Sequence, residues 1–185
     1  MLTTITLNRT EQLDVDKHNR AGFSCGVKEL DKFLQQKARK ESPSLSLTFV
    51  ATCAEDPAQI LGYFSLSATN LRADDLPDDI RKKFGQYGVV PATLLGRLAV
   101  AENYQRSKDL RLGEFLLIDA MFRTWNAAQS VASFGMLVRI LKGDKGDPTP
   151  FYDRFGFIRC AQTADSVYLP MKTSEGILQE SGLIP

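Results

Sequence analysis

A charged stretch leads into an apolar helix pattern at residues 104–117, which read YQRSKDLRLGEFLL. The composition from Leu112 onward is typical of the first turns of a helix. A helix N-terminus preceded by a loop of small residues can hold an anion, because free N–H groups and the helix dipole both favour negative charge. The loop before this helix carries charged side chains where glycines would be expected: Arg106, Lys108, Asp109 and Arg111. Two interpretations are open, a phosphate-binding loop and an ordinary capped helix.

A second side chain that could do chemistry is Tyr152, within PTPFYDRFGF at residues 148–157. A phenol with a reference pKa of about 10 is protonated at neutral pH, as a proton donor must be. On its own, however, a tyrosine between other aromatic residues is more often a packing residue with a satisfied hydroxyl. Only a wider sequence pattern can favour the catalytic interpretation.

The sequence contains no obvious general base. His18 is the only histidine, and we expect a surface or capping role for it in the N-terminal loop region. The three cysteines, Cys25, Cys53 and Cys160, are an odd number without a CxxC pair. We therefore expect reduced, packed thiols and neither a disulfide framework nor a metal site.

The 185 residues fit one domain, residues 1–185, with a core of its own. The net charge is +1, so any nucleic-acid-binding surface must be a local basic patch. No apolar run approaches the roughly 18 residues needed to cross a bilayer. Residues 1–14 lack the basic start and apolar core of a secretion signal. We expect a cytoplasmic protein without a membrane segment.

Strand and helix patterns alternate along the chain. Periodicity and turn residues predict helices at residues 27–40, 77–84, 110–128 and 148–155. They predict strands at residues 3–7, 45–53, 60–71, 93–100, 131–140, 157–160 and 166–171. Strands before and after a long helix indicate an α/β (α+β) layer fold with a mixed sheet.

Three segments together resemble the GNAT acetyltransferases: LLGRLAV at 94–100, YQ…RLGEFLLIDA at 104–120 and PFYDRFGF at 150–157. Two further segments, FSCGVKELDKFLQQKARK at 23–40 and YLPM at 168–171, make the chain similar to the GNAT toxins of bacterial toxin–antitoxin modules. The resemblance covers nearly the whole chain. It implies the GNAT fold, a mixed central sheet flanked by helices, with central strands that splay apart.

The resemblance also implies a function. Acetyl-CoA would be the acetyl donor, with no metal, and the acceptor would be the α-amino group of aminoacyl-tRNA, whose acetylation blocks translation. A small DNA-binding antitoxin and a second copy of the chain would be protein partners. Two alternatives are an ordinary acetyltransferase of a small-molecule or protein amine, and a cofactor-deficient GNAT relic that acts only as a binding module.

By the same resemblance, the pantetheine arm of acetyl-CoA would pair with the backbone of a strand segment formed by Leu98, Ala99 and Val100. The pyrophosphate would lie at the loop, where Arg111 occupies a position usually held by glycine. In one alignment residues 107–109 bulge outward, and the cofactor is contacted by Gln105, Arg106, Arg111, Leu112, Gly113 and Glu114. In the other, Asp109 caps a helix that begins at Leu110 and occupies the amides that the pyrophosphate needs. The positive charge of the loop favours the first alignment.

The resemblance assigns Tyr152 as general acid toward the departing thiolate. The missing base fits an α-amine next to an ester, because such an amine is less basic than a lysine side chain and is partly neutral near pH 7. Basic side chains are candidates for contact with tRNA, although each cluster could also be a solvated helix face. They are Arg39, Lys40, Arg72, Arg81, Lys82 and Lys83.

Overall fold

The computed structural model describes residues 5–107, 109–142 and 146–185. Seven strands form one mixed sheet in the order β1-β2-β3-β4-β5-β7-β6. The strands are β1 (Glu11–Gln12), β2 (Leu47–Ala51), β3 (Gly62–Arg72), β4 (Val89–Val100), β5 (Gly135–Arg139), β6 (Ile158–Arg159) and β7 (Ser166–Pro170). β4 and β5 run parallel, while β5 and β7 are antiparallel. The predicted mixed sheet with flanking helices is confirmed.

The helices are α1 (Lys28–Lys32), α2 (Ala38–Glu41), α3 (Asp78–Phe84), α4 (Leu112–Ala128), α5 (Thr149–Asp153) and α6 (Met171–Glu180). A π-helical turn, Phe33–Lys37, connects α1 to α2, so the predicted helix at 27–40 is one helical segment with a wider turn inside it. Within the described ranges, no helix is long and apolar enough to cross a membrane.

Contacts within the chain group it into two compact units. The first unit comprises Met1–Leu66 and Arg97–Asp119, and the second comprises Ser67–Gly96 and Ala120–Pro185. Strands β3 and β4 contribute residues to both. The organisation of residues 1–185 as one domain stays a prediction.

The first unit packs its helical segment onto the sheet face of β2 and β3. Phe33, Leu34 and Ala38 have the spacing of one helical face, and all three are buried against Val50 and Tyr63. The β3 strand must begin with glycine, because a Cβ atom on Gly62 would lie only 2.9 Å from the carbonyl oxygen of Ala99. This packing fixes the C-terminal end of β4 beside the start of α4.

The second unit has its own core, formed by Leu71, Leu76, Val90, Ala92, Leu137 and Tyr168. The closing antiparallel pair of strands predicted at 157–171 is present, with Ile158 opposite Tyr168. Helix α5 begins at Thr149, where Pro150 takes a first-turn position that needs no N–H bond.

Several boundaries differ from the sequence-based expectations, since β4 begins at Val89 and β5 at Gly135, and one helix was not predicted. The predicted strand at residues 3–7 falls partly outside the described residues; Leu7 makes only an isolated bridge to Cys53, and the first strand is β1. Helix α4 begins at Leu112, two residues later than predicted. Helix α6 was not predicted, because its sequence, MKTSEGILQE, contains glycine and several polar residues of modest helix propensity.

Candidate active site

The predicted pantetheine segment is the last part of β4. This strand pairs with β5 over residues 93–95 and continues to Val100. Ala99 is buried in the core of the first unit, while Leu98 and Val100 are only partly buried. The carbonyl oxygen of Val100 accepts a 2.8 Å hydrogen bond from the side-chain amide of Gln105.

The loop after β4 is held in place by Gln105. Its Nε2 also donates a 2.8 Å hydrogen bond to the carbonyl oxygen of Cys25. The Ser107 hydroxyl accepts a hydrogen bond from the N–H of Leu110 at 3.3 Å. Arg106 is exposed, and Lys108, which was part of the predicted bulge, lies outside the described residues. Gln105 therefore positions the loop through contacts to backbone.

Arg111 has a backbone conformation that glycine adopts more readily than other residues. Its φ angle is +40°, in the left-handed region that non-glycine residues rarely adopt. Helix α4 starts at the next residue, and its first bonded N–H groups, those of Glu114 and Phe115, donate to the carbonyl oxygen of Arg111. Among the described residues, no acceptor faces the N–H groups of Leu112 and Gly113. This helix start can receive an anionic group.

The interpretation in which Asp109 caps the helix is wrong. Since α4 begins at Leu112, the capping position belongs to Arg111, and Asp109 lies two residues before it. A different carboxylate is close to the loop instead, because Glu114 forms an ion pair with the guanidinium of Arg111. The Arg111 side chain is 68% exposed, so this pair is screened by water.

Tyr152 lies on α5 in the second unit. Its ring is 7% exposed and packs edge-on against Phe151 and Phe157, at centroid distances of 5.2 and 5.3 Å. Within the described part of the chain its hydroxyl has no hydrogen-bond partner, and it is not among the fully buried unpaired oxygens. Burial raises the pKa of Tyr152 to about 12, so the hydroxyl keeps its proton at neutral pH. A packed ring that presents an unpaired, protonated hydroxyl suits a proton donor.

The other titratable candidates are poorly placed to act as a base or nucleophile. His18 is buried rather than on the surface, and its Nδ1 accepts a hydrogen bond from the N–H of Asp14 at 3.0 Å, which is the capping role. Burial raises the pKa values of the Cys25 and Cys160 thiols to about 12, so both remain protonated. None of the three cysteines forms a disulfide bond.

The predicted RNA-binding cations lie on two helices and one strand end. In the first unit, Arg39 and Lys40 are exposed on α2. In the second unit, Arg81, Lys82 and Lys83 are consecutive on α3. The structure also gives some of these side chains local partners: Arg72 pairs with Asp74 at 3.5 Å, Arg81 pairs with Asp78 at 2.7 Å, and Lys83 lies over the ring of Phe84.

One charged residue near the cofactor segment was missed from the sequence. Arg97, on β4, places its guanidinium 3.5 Å from the ring centroid of Phe33 and 3.6 Å from a carboxylate oxygen of Glu41. The signal was present, because Arg97 is the only charged residue in the otherwise apolar segment LLGRLAV. A charge in an apolar strand requires a specific partner or a function.

Comparisons with known proteins agree with this architecture. No protein-family model matches the chain. The chain is 23% identical over 172 residues to "Probable toxin TacT" of Sinorhizobium fredii, covering 91% of this chain and 93% of the relative. The crystal structure of a tyrosine-to-phenylalanine mutant of KacT superposes with a TM-score of 0.80 at 26% identity, covering 93% of this chain and 99% of KacT.

A second solved structure, AtaT complexed with acetyl-methionyl-tRNAfMet, gives a TM-score of 0.80 at 25% identity, with 93% of this chain and 99% of AtaT covered. The mixed sheet with flanking helices is therefore the fold of the GNAT-type proteins. More specifically, the chain is homologous to the GNAT toxins TacT, KacT and AtaT.

Proposed function

We propose that the chain is an acetyl-CoA-dependent N-acetyltransferase, a toxin that acetylates the α-amino group of aminoacyl-tRNA and so blocks translation. The observation that carries the proposal is the backbone at Arg111: at a position where the resemblance expects glycine, the residue has a left-handed conformation, and α4 begins directly after it. The similarity to AtaT, which has been solved with acetyl-methionyl-tRNAfMet, supports the same acceptor.

The residues of the first unit fit the donor. N–H groups of Leu112 and Gly113 at the start of α4 would bind the pyrophosphate, and Arg106 and Arg111 would neutralise its charge. Backbone groups of residues 98–100 would pair with the pantetheine arm. Acetyl-CoA, when bound, supplies the acetyl group as a thioester, which an amine can attack. The N–H of Glu114 already bonds to the carbonyl oxygen of Arg111, so Glu114 would contribute through its side chain, which pairs with the Arg111 guanidinium.

Tyr152 would supply the proton that the reaction needs. As the amine nitrogen forms its bond to the acetyl carbon, the carbon–sulfur bond breaks and the sulfur leaves as a thiolate. The Tyr152 hydroxyl protonates that thiolate, and the extra proton on the new amide nitrogen passes to water, which later reprotonates the tyrosine. No strong base is required, because the α-amine of an aminoacyl ester is already partly neutral near pH 7.

Partners and location follow from this function. Exposed cations on α2 and α3 would attract the tRNA backbone, and a small DNA-binding antitoxin would hold the toxin inactive. We also propose a homodimer, and the cytoplasm as the site of action because charged tRNA is used there.

The decisive experiment incubates the purified protein and labelled acetyl-CoA with aminoacylated tRNA, using uncharged tRNA as the control. Mild base then breaks the aminoacyl ester, and we expect labelled N-acetyl amino acid from the charged tRNA alone. Label on protein lysines or on a free small amine would instead establish the ordinary acetyltransferase. Induced expression should arrest growth.

A cofactor-deficient binding module is a second candidate, and the Arg111–Glu114 ion pair is the observation that favours it. A carboxylate bound to the loop arginine competes with the pyrophosphate for the same cation. Calorimetry with acetyl-CoA separates the two functions, because the enzyme must bind the cofactor and the relic must not. Failure to bind acetyl-CoA together with no transfer to any amine would favour the relic.

A further inference from the structure

The guanidinium of Arg97 is held in place, but it is not satisfied. Its side chain is only 30% exposed and stacks on the buried ring of Phe33, which itself lies in the π-helical turn. The nearest carboxylate oxygen, on Glu41, is 3.6 Å away, beyond hydrogen-bond distance, and it also accepts a bond from the Ser46 hydroxyl at 3.1 Å. Across the described residues, the guanidinium of Arg97 donates no hydrogen bond.

Covered polar side chains usually have at least one hydrogen-bond partner, and the five N–H donors of this half-buried guanidinium have none among the described residues. Stacking on an aromatic face leaves the edge of the guanidinium plane available, and this edge matches the oxygens of a phosphate in pairs. The arrangement is therefore a preformed anion site that has one weak internal competitor, Glu41.

The first unit also contains unpaired hydroxyls and exposed cations in addition to Arg97. Successive side chains alternate across a strand, so Arg97 lies on the same face of β4 as Ala99, which packs with Phe33. The hydroxyls of Thr48 and Ser65, which are opposite each other in the β2–β3 register, are buried without a partner. Because side chains alternate across each strand, Thr48 and Ser65 lie on the same sheet face as Val50 and Tyr63, which belong to the core around Phe33. Arg39 and Lys40 are exposed immediately before Glu41 on α2.

We propose that Arg97 binds a backbone phosphate of the acceptor RNA near its 3′ end, with Arg39 and Lys40 as weaker outer contacts. This inference rests on the proposed function, and it names the contact by which the aminoacyl end is recognised. Arg97 immediately precedes residues 98–100, the segment proposed to hold the acetyl-bearing arm, so a phosphate bound there would be anchored beside the donor. Arg97 is a positioning and specificity residue and takes no part in proton transfer.

A direct binding measurement tests the proposal without requiring acetyl transfer. The probe is an uncharged, fluorescently labelled RNA hairpin with a 3′-CCA end, and its affinity is measured by anisotropy at several salt concentrations. We expect Arg97→Gln to weaken binding about tenfold and to lower the slope of log affinity against log salt by about 1, as for one lost phosphate contact. Arg97→Lys should keep the slope and bind with intermediate affinity, because it keeps the charge and loses the fork.

Lys17→Gln is the matched control. It removes one positive charge from the same unit, where Lys17 pairs with Glu11 at 2.6 Å, and both affinity and slope should stay unchanged. Glu41→Gln tests the site with Arg97 in place: loss of the competing carboxylate should strengthen RNA binding. If Arg97→Gln does not fold, the Glu41→Gln result decides, and an unchanged affinity would overturn the proposal.

The phosphate could instead belong to the cofactor, so acetyl-CoA affinity is measured in parallel by calorimetry. We expect Arg97→Gln to bind acetyl-CoA normally and to acetylate an amino-acid methyl ester, which lacks phosphate, at the wild-type rate. Weakened acetyl-CoA binding with unchanged RNA binding would refute the proposal. If wild-type protein binds the hairpin through Arg97 yet transfers no acetyl group to charged tRNA, only the proposed function fails.

Discussion

In the second unit, the guanidinium of Arg81 lies 2.7 Å from a carboxylate oxygen of Asp78, and the ammonium of Lys142 lies 2.5 Å from one of Asp165. In the first unit, the guanidinium of Arg97 donates no hydrogen bond to any described residue. The buried Asp75 of the second unit is also fully engaged. Its Oδ1 accepts hydrogen bonds from the N–H groups of Gln162 and Thr163 at 2.8 and 2.7 Å. The carboxylate of Asp75 thus fastens a loop to the core of the second unit, while the guanidinium of Arg97 on β4 remains available.

This difference in internal pairing distinguishes charged groups that stabilise the fold from those that can bind a ligand. A side chain whose partners are all internal gains little from a ligand, since the ligand would first have to displace those partners. A held but unpaired donor has no such cost and is preorganised for binding. Tyr152 also has an unpaired donor, because its hydroxyl has no partner among the described residues. Candidate residues for mutation can therefore be ranked by whether their polar groups are already paired within the protein.

The largest expected effect is that of Tyr152→Phe. Removing the hydroxyl while keeping the ring should lower the acetyl-transfer rate by roughly 10²-fold or more, the usual contribution of a general acid, without loss of folding or of acetyl-CoA binding. The measurement is single-turnover transfer to aminoacylated tRNA. The pKa of Tyr152 is about 12, so the wild-type rate should show no loss through this group as pH rises from 7 to 10.

Tyr168→Phe is the matched control for that substitution. Tyr168 is 1% exposed, and its hydroxyl is also unpaired in the described structure but fully buried, so it cannot reach a substrate. We expect an unchanged transfer rate and an unfolding free energy raised by up to about 1 kcal/mol, because a buried unsatisfied hydroxyl is removed. Equal rate losses in both variants would reduce Tyr152 to a packing residue.

The second largest effect is expected at Arg111, where two substitutions distinguish the role of the side chain in cofactor binding from the strain of the backbone. Arg111→Ala should weaken acetyl-CoA binding by about 1 to 3 kcal/mol in calorimetry, since a charge-assisted contact is lost. Arg111→Gly loses the same contact but relieves the positive φ, so it should be more stable to urea than the alanine variant by about 1 kcal/mol. Glu114→Gln should tighten acetyl-CoA binding slightly by freeing Arg111. If Arg111→Ala bound acetyl-CoA with wild-type affinity, the side chain of Arg111 would not be part of the cofactor site.

Sequence reasoning recovered the layers and most elements because their apolar periodicity is strong, as in the helix face of Phe33, Leu34 and Ala38. The resemblance placed Arg111 at a usual glycine, but its positive φ and the start of α4 at Leu112 depend on the folded backbone and were not predicted. Sequence reasoning missed Arg97, because the contacts with Phe33 and Glu41 join residues that are distant in the sequence. Side-chain pairing depends on tertiary placement, which periodicity does not encode.

The third effect tests the structural charges of the second unit. Asp75→Asn should lower the unfolding free energy by about 1 to 3 kcal/mol in urea at pH 7, because charge-assisted bonds to Thr163 and Gln162 are weakened. Burial alone would raise the pKa of Asp75, but these hydrogen bonds lower it below its ordinary value. A lowered folded-state pKa gives stability that is present above the unfolded pKa, about 3.9, and is lost as pH falls through the folded pKa. The difference between wild type and Asp75→Asn should therefore shrink below about pH 4.

Asp74→Asn provides the control, since Asp74 is exposed and only meets Arg72 at 3.5 Å. Its loss should change stability by less than about 0.5 kcal/mol at either pH. An equal effect of the two substitutions would show that burial and bonding at Asp75 do not distinguish it from an ordinary surface acid.

The smallest effect compares two neighbouring cations on α3 as contacts for RNA. Arg81 is already paired with Asp78, whereas Lys82 is exposed and meets no acid among the described residues. If an internal ion pair makes a side chain unavailable to RNA, Lys82→Gln should weaken binding of the CCA-ended hairpin by about twofold, and Arg81→Gln should weaken it less. Both losses should remain well below that of Arg97→Gln, because neither side chain is held in place by an aromatic ring. If Arg81→Gln weakened RNA binding more than Lys82→Gln, RNA would have to displace Asp78 from Arg81 readily. An internal ion pair in the second unit would then not indicate that a charged side chain is unavailable to RNA.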